Sequence, residues 1–155
     1  MRTIRWTARL FVIHVLFILL VAEGTYFQGL DLVFSLFYLV ILWQAGKAIS
    51  DEFEARPWLN LIIVGTAYQL PGYAMTVINL LYYNGKQGIA ADFTYGFQLW
   101  HTPLLPFLSL HTFPLIGDFI SYFVALFFLS PFYLLVMIAP FASRRSRASL
   151  AGKTG

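Results

Sequence analysis

Charged positions cut this chain into long uncharged stretches at 10–22, 32–46, 57–85, 93–117 and 119–143. A helix needs about 20 largely apolar residues to cross a hydrocarbon core. Four helices follow: one over about 4–22, extended past Arg9 by Ile4 and Trp6, and others over about 31–49, 58–83 and 119–141. Turn residues separate them. Gly24 and Gly29 precede Asp31, expected as an N-cap, while Gly117 and Asp118 precede the last helix in the same way. Pro57 and Trp58 open the third, with the tryptophan at an interface.

The stretch around 97–116 is long enough to be a fifth span, so the placement of the ten Lys and Arg residues decides. With four spans and a cytoplasmic start, nine of them lie inside and only Lys86 outside; with five spans the split is five to five. The positive-inside rule favours four spans with both termini cytoplasmic. Pro103 and Pro106 also break any regular helix there. Segment 97–116 is therefore expected outside, either lying flat in the interface, the preferred form, or re-entrant between helices. Residues 1–24 have a second reading as a secretory signal, with basic residues before an apolar core and Ala22-Glu23-Gly24 at a cleavage point.

Composition sharpens this pattern into a class. Apolar residues make up 59% and charged residues 11%, which is membrane-protein composition. No linker divides the chain, and one all-α polytopic domain covers 1–155. With no cysteine there is no disulfide, thiolate ligand or thiol nucleophile. The net charge of +3 is small, and no interleaved basic and aromatic surface points to nucleic acid. The basic tail over 143–155, headed by Arg144, Arg145 and Arg147, anchors topology against anionic headgroups. Ser50 to Glu54 reads as a short capped helix in a solvated cytoplasmic loop.

Candidate chemistry concentrates on the third helix. Gly65, Gln69, Gly72, Thr76 and Asn79 recur at spacings of four, three, four and three, so they share one stripe. Small residues there permit close packing, and the polar ones either bond to neighbouring helices or line a path for a small solute. Pro71 removes an amide, frees the Ala67 carbonyl and predicts a kink, with Gln69 able to donate back to that carbonyl. Ser130-Pro131 repeats the theme in the last helix, where Ser121 and Ala125 form a small packing pair.

His14 falls mid-span, where an ionisable group needs a partner; Gln69 or Thr76 lies at suitable depth. Proton relay and ligand contact are its functional readings, and haem ligation lacks a second axial ligand at that depth. His101 and His111 are expected as interfacial residues near Trp100; with Glu23, Asp31, Asp92 and Asp118 they form only a weak outer-side ligand set, without the spacing that fixes a metal. No metal or cofactor is expected. No P-loop, GxGxxG, GxSxG or SxxK motif is present, so an enzymatic role is not indicated. The expected function is a non-enzymatic accessory or subunit protein of a membrane complex, with lipids and a protein partner or a second copy around it. The alternative is a small transporter or channel component with Gln69, Thr76, Asn79 and His14 along its path.

Overall fold

The computed structural model describes residues 1–53, 55–82, 95–109 and 128–141, and these are all-helical, without a strand. Helix α1 (Arg2–Gly24) and helix α2 (Leu30–Glu52) are each long and apolar enough to cross a membrane. Helices α3 (Pro57–Tyr68) and α4 (Leu70–Tyr82) pass the same test only as a pair, bent by 57° at their junction. Helix α5 covers 95–101, a 3₁₀ turn Thr102–Leu104 follows, and α6 (Leu105–Ser109) completes a broken segment. Helix α7 is Phe128–Phe141. Two candidate spans thus stand clearly, three if the bent pair is one.

The α1–α2 connection is a tight antiparallel hairpin. The chain leaves α1 through Thr25, whose hydroxyl donates to the Ala22 carbonyl at 2.7 Å, and turns on Gly29 at φ 80°. That left-handed backbone favours glycine, which serves as the N-cap of α2. Asp31 is therefore not the cap expected from sequence: it lies in the first turn, and its Oδ1 accepts from Leu32 N at 2.9 Å. At the far end the Trp6 indole donates to Glu52 Oε2 at 2.6 Å, and Arg2 Nε lies 3.8 Å from Glu52 Oε1. Ser50 does not start a new helix; α2 continues through it to Glu52 because these partners hold the acid at the helix end. Trp6→Phe is expected to lower stability by about 1 kcal/mol, the worth of one partly buried bond. Thermal unfolding in detergent, run as a double-mutant cycle with Glu52→Gln, reads that coupling; additive losses would mean the bond contributes nothing.

Proline explains the break between α3 and α4. Pro71 has no amide to give to Ala67, and the ladder restarts with Tyr73 N donating to Gln69 O at 3.0 Å. Helix α7 packs across both halves through bare backbone. A Cβ on Gly72 would lie 3.0 Å from Ser130 Oγ, and one on Gly65 would meet the end of the Leu134 side chain. A Cβ on Gly46 of α2 would land on the Met137 carbonyl oxygen. Passing from Ser130 to Met137 thus tracks from Gly72 back to Gly65, so α7 runs antiparallel to α3.

Polarity is inverted relative to a water-soluble bundle. Val12 is 66% exposed, Phe37 59% and Leu135 62%, with Leu16, Leu19, Leu36 and Val40 beside them. His14, Ser35, Gln69, Thr76, His101 and Ser130 are buried instead. An apolar outer surface around an interior that holds the polar side chains among apolar ones suits hydrocarbon as the solvent, because water would draw those polar groups outward. Broad placement in a membrane follows from this surface and the apolar helices.

Candidate functional site: a buried histidine–tyrosine centre

The buried polar residues converge on one place. His14 projects from the middle of α1 and is fully buried. Its Nε2 lies 2.9 Å from the Trp100 carbonyl oxygen and its Nδ1 lies 2.5 Å from Tyr38 Oη. A carbonyl only accepts, so Nε2 carries the proton; in the neutral ring Nδ1 then accepts from the Tyr38 hydroxyl. The partners are thus not the Gln69 or Thr76 anticipated from depth alone. Thr76 instead donates to the Gly72 carbonyl of its own helix at 2.8 Å, a local bond available to any threonine one turn on. A relay through His14 also ends at an amide oxygen, which has no proton to hand on.

Trp100 joins the two halves of the centre. Its carbonyl accepts from His14, its indole N–H donates to Gln69 Oε1 at 2.9 Å, and its ring lies 4.3 Å from the His14 ring and 5.6 Å from Phe11. Gly72 makes room: a Cβ there would be 2.8 Å from the indole Cδ1. The Gln69 side chain does not bond back to Ala67: its Nε2 has no partner among the described residues and its Oε1 accepts from Trp100, while its backbone N–H reaches the Ala67 carbonyl.

These bonds draw residues 95–109 into the bundle. Trp100 is 7% exposed, His101 0% and Leu104 1%, and the 3₁₀ turn packs against α1 and α2. Residues 95–109 pack against the bundle, with His101 buried within the protein. Pro103 and Pro106 break it into short pieces that turn a buried face inward. His101 Nε2 and Ser130 Oγ are hydrogen-bonded at 3.2 Å. The His101 ring stacks on Tyr133 at 5.8 Å and 13° and meets Phe97 edge-on at 4.7 Å.

Tyr133 is the common wall. It also faces His14 edge-on at 5.5 Å and Tyr38 at 5.8 Å, while Tyr68 meets His14 at 6.0 Å. The two histidines therefore share one aromatic neighbour, which overturns the expectation that no second histidine reaches the depth of His14. Both His14 nitrogens are nevertheless engaged, which leaves none to ligate haem iron or another metal. Among the described residues no group of three or more metal-ligating side chains comes together.

Four buried side-chain atoms of this centre have no hydrogen-bond partner among the described residues: Tyr68 Oη, Gln69 Nε2, His101 Nδ1 and Tyr133 Oη. The Tyr68 hydroxyl sits beside Tyr38 and Gln69 without reaching bonding geometry to either. Buried polar groups are usually paired, and each unpaired one costs about 1 to 3 kcal/mol.

Sequence reasoning missed the three tyrosines. Tyrosine normally collects in interfacial belts, as the exposed Tyr26 does here; Tyr38, Tyr68 and Tyr133 fall well inside apolar runs, and that displacement was the available signal. His111, Asp92, Asp118, Ser121 and Ala125 lie outside the described residues, and Asn79 belongs to α4 with its side chain not described. Glu23 is exposed at the end of α1. Pro131 is part-buried beside Ser130 in α7. No known protein family, curated protein or solved structure matches the chain.

Proposed function

We propose that this protein is a four-span component of a small-solute transporter or channel, with the histidine–tyrosine centre as its solute site. The observation that carries the reading is the set of four unpaired buried polar atoms gathered where the α3–α4 helix breaks. Broken helices at membrane depth, with polar groups turned inward, are how transporters hold solutes in hydrocarbon. His14 lies at the middle of α1, so the centre sits near half-depth.

In this reading the fourth span contains α7, segment 95–109 is re-entrant, and both termini face the cytoplasm of a cell membrane. Supporting the even number of spans, the end of α7 lies beside Gly46, toward the same end of the bundle as Glu52 and Trp6. Lipids surround the exposed apolar faces, and a second copy or a protein partner completes the enclosure of the path. A purely accessory subunit is the competing reading, and it needs no unpaired polar centre.

Two measurements test this. Cysteine placed at Lys86 in this cysteine-free chain should be labelled from outside intact cells, and cysteine at Ser146 should not; labelling at 146 would refute four spans. Vesicles containing the purified protein should show solute flux that Gln69→Leu and Asn79→Leu remove while the protein still inserts. Flux no greater than that of empty vesicles would leave the accessory role.

A further inference from the structure

The unpaired atoms, together with the groups already engaged, define what this centre can hold. A cation at mid-membrane needs several free carbonyl or carboxylate oxygens. Four oxygen acceptors at the centre each already accept one bond within the protein. Trp100 O takes the His14 proton, Gln69 Oε1 takes the Trp100 indole, Gln69 O takes Tyr73 N and Gly72 O takes Thr76. Among the described residues no Asp or Glu is buried. An anion would need fixed positive charge in so dry a place, and no Lys or Arg among the described residues is buried either.

What remains open is neutral. Gln69 Nε2 is an obligate donor, whereas the Tyr68 and Tyr133 hydroxyls both donate and accept. His101 Nδ1 donates or accepts according to which nitrogen bears the proton, since Ser130 can complement Nε2 in either state. Such a ring adapts to a molecule with an acceptor for Gln69 and mixed donors and acceptors elsewhere. The Trp100 and Tyr68 ring centroids lie 4.3 and 6.0 Å from that of His14, in packing contact, so only a small molecule could enter among them.

We infer that the site takes a small uncharged solute that both donates and accepts hydrogen bonds, of the water, urea or glycerol class, and excludes ions of either sign. This rests on the transporter reading above and narrows it. Tyr68→Phe and Tyr133→Phe are the discriminating variants. Each removes a hydroxyl without a hydrogen-bond partner among the described residues, so the fold should keep its stability while the solute loses a partner.

The test uses vesicles containing the full chain. Stopped-flow light scattering would follow water, urea and glycerol permeability, and a voltage-sensitive dye would follow potassium and chloride flux in the same preparation. We expect permeability to at least one uncharged probe to exceed that of empty vesicles about tenfold, without ion flux. Gln69→Leu and Tyr133→Phe should return it to the empty-vesicle level with unchanged thermal stability for Tyr133→Phe. An ion flux that Gln69→Leu abolishes would overturn the inference and leave the transporter reading standing. No flux of either class would overturn both. Uncharged flux indifferent to Gln69→Leu and Tyr133→Phe would place the path elsewhere and also overturn the inference.

Discussion

Replacing Gly46 with valine should prevent the bundle from assembling, whereas Gly65→Ala should be tolerated. At Gly46 an added Cβ would overlap the carbonyl oxygen of Met137 and lie 2.8 Å from its carbonyl carbon. Those are backbone atoms of α7, so relief requires two helices to separate. Separation also pulls Tyr133 and Met137, both fully buried, away from α2. Overpacking costs about 1 to 3 kcal/mol even where side chains can move, and here none can. At Gly65 the obstructing atom is the end of the flexible Leu134 side chain, and alanine's better helix propensity, about 0.8 to 1 kcal/mol over glycine, offsets part of the strain. Size-exclusion behaviour and thermal unfolding in detergent would read both. Folding of Gly46→Val at wild-type stability would show that α2 and α7 do not touch there.

His14→Leu should be the second most damaging change, and more damaging than Tyr38→Phe. Leucine leaves two buried groups, the Tyr38 hydroxyl and the Trp100 carbonyl, without the partners they have now. Each stranded group costs about 1 to 3 kcal/mol. Tyr38→Phe strands only His14 Nδ1, and its ring keeps its contacts with Phe17 and Tyr133. In membranes an interhelical hydrogen bond averages only about 0.6 kcal/mol by double-mutant cycles, because the separated helices find other partners. A loss well above that for His14→Leu would mean the centre acts as a unit holding residues 95–109 in place. Tryptophan fluorescence reports this directly, since Trp100 would move from a buried to a wetter setting. An unshifted spectrum together with wild-type unfolding would contradict the assignment of His14 as the tie between α1 and Trp100.

Much of this arrangement is legible in the residues because lipid imposes simple rules. Runs between charges locate α1 and α2, since a charge is costly at mid-depth. Pro71 locates the break in the third helix, since its missing amide is a covalent fact. The spacing of Gly65, Gln69, Gly72 and Thr76 locates the inward side, and all four are buried. What resists reading depends on distant pairings. Nothing local distinguishes Tyr38 from a belt tyrosine until His14 is known to face it. Gly46 sits in an apolar helix like any tolerated glycine, and only the path of α7 makes it indispensable. Trp100 and His101 look interfacial because their hosts are prolines and aromatics. Their burial follows from bonds to His14, Gln69 and Ser130, which lie 29 or more positions away in the chain.

The two bonds of His14 also impose an order on biogenesis. Its Nδ1 partner lies 24 residues downstream, in the other arm of the α1–α2 hairpin, but its Nε2 partner lies 86 residues downstream. When the hairpin first enters the bilayer, one ring nitrogen can be matched at once and the other must wait for Trp100 to be synthesised and inserted. The nascent hairpin thus carries an open valence that only the later segment closes. A polar group left waiting in hydrocarbon favours docking of the later segment once it is made, so the bonds that build the histidine–tyrosine centre also favour its completion in that order.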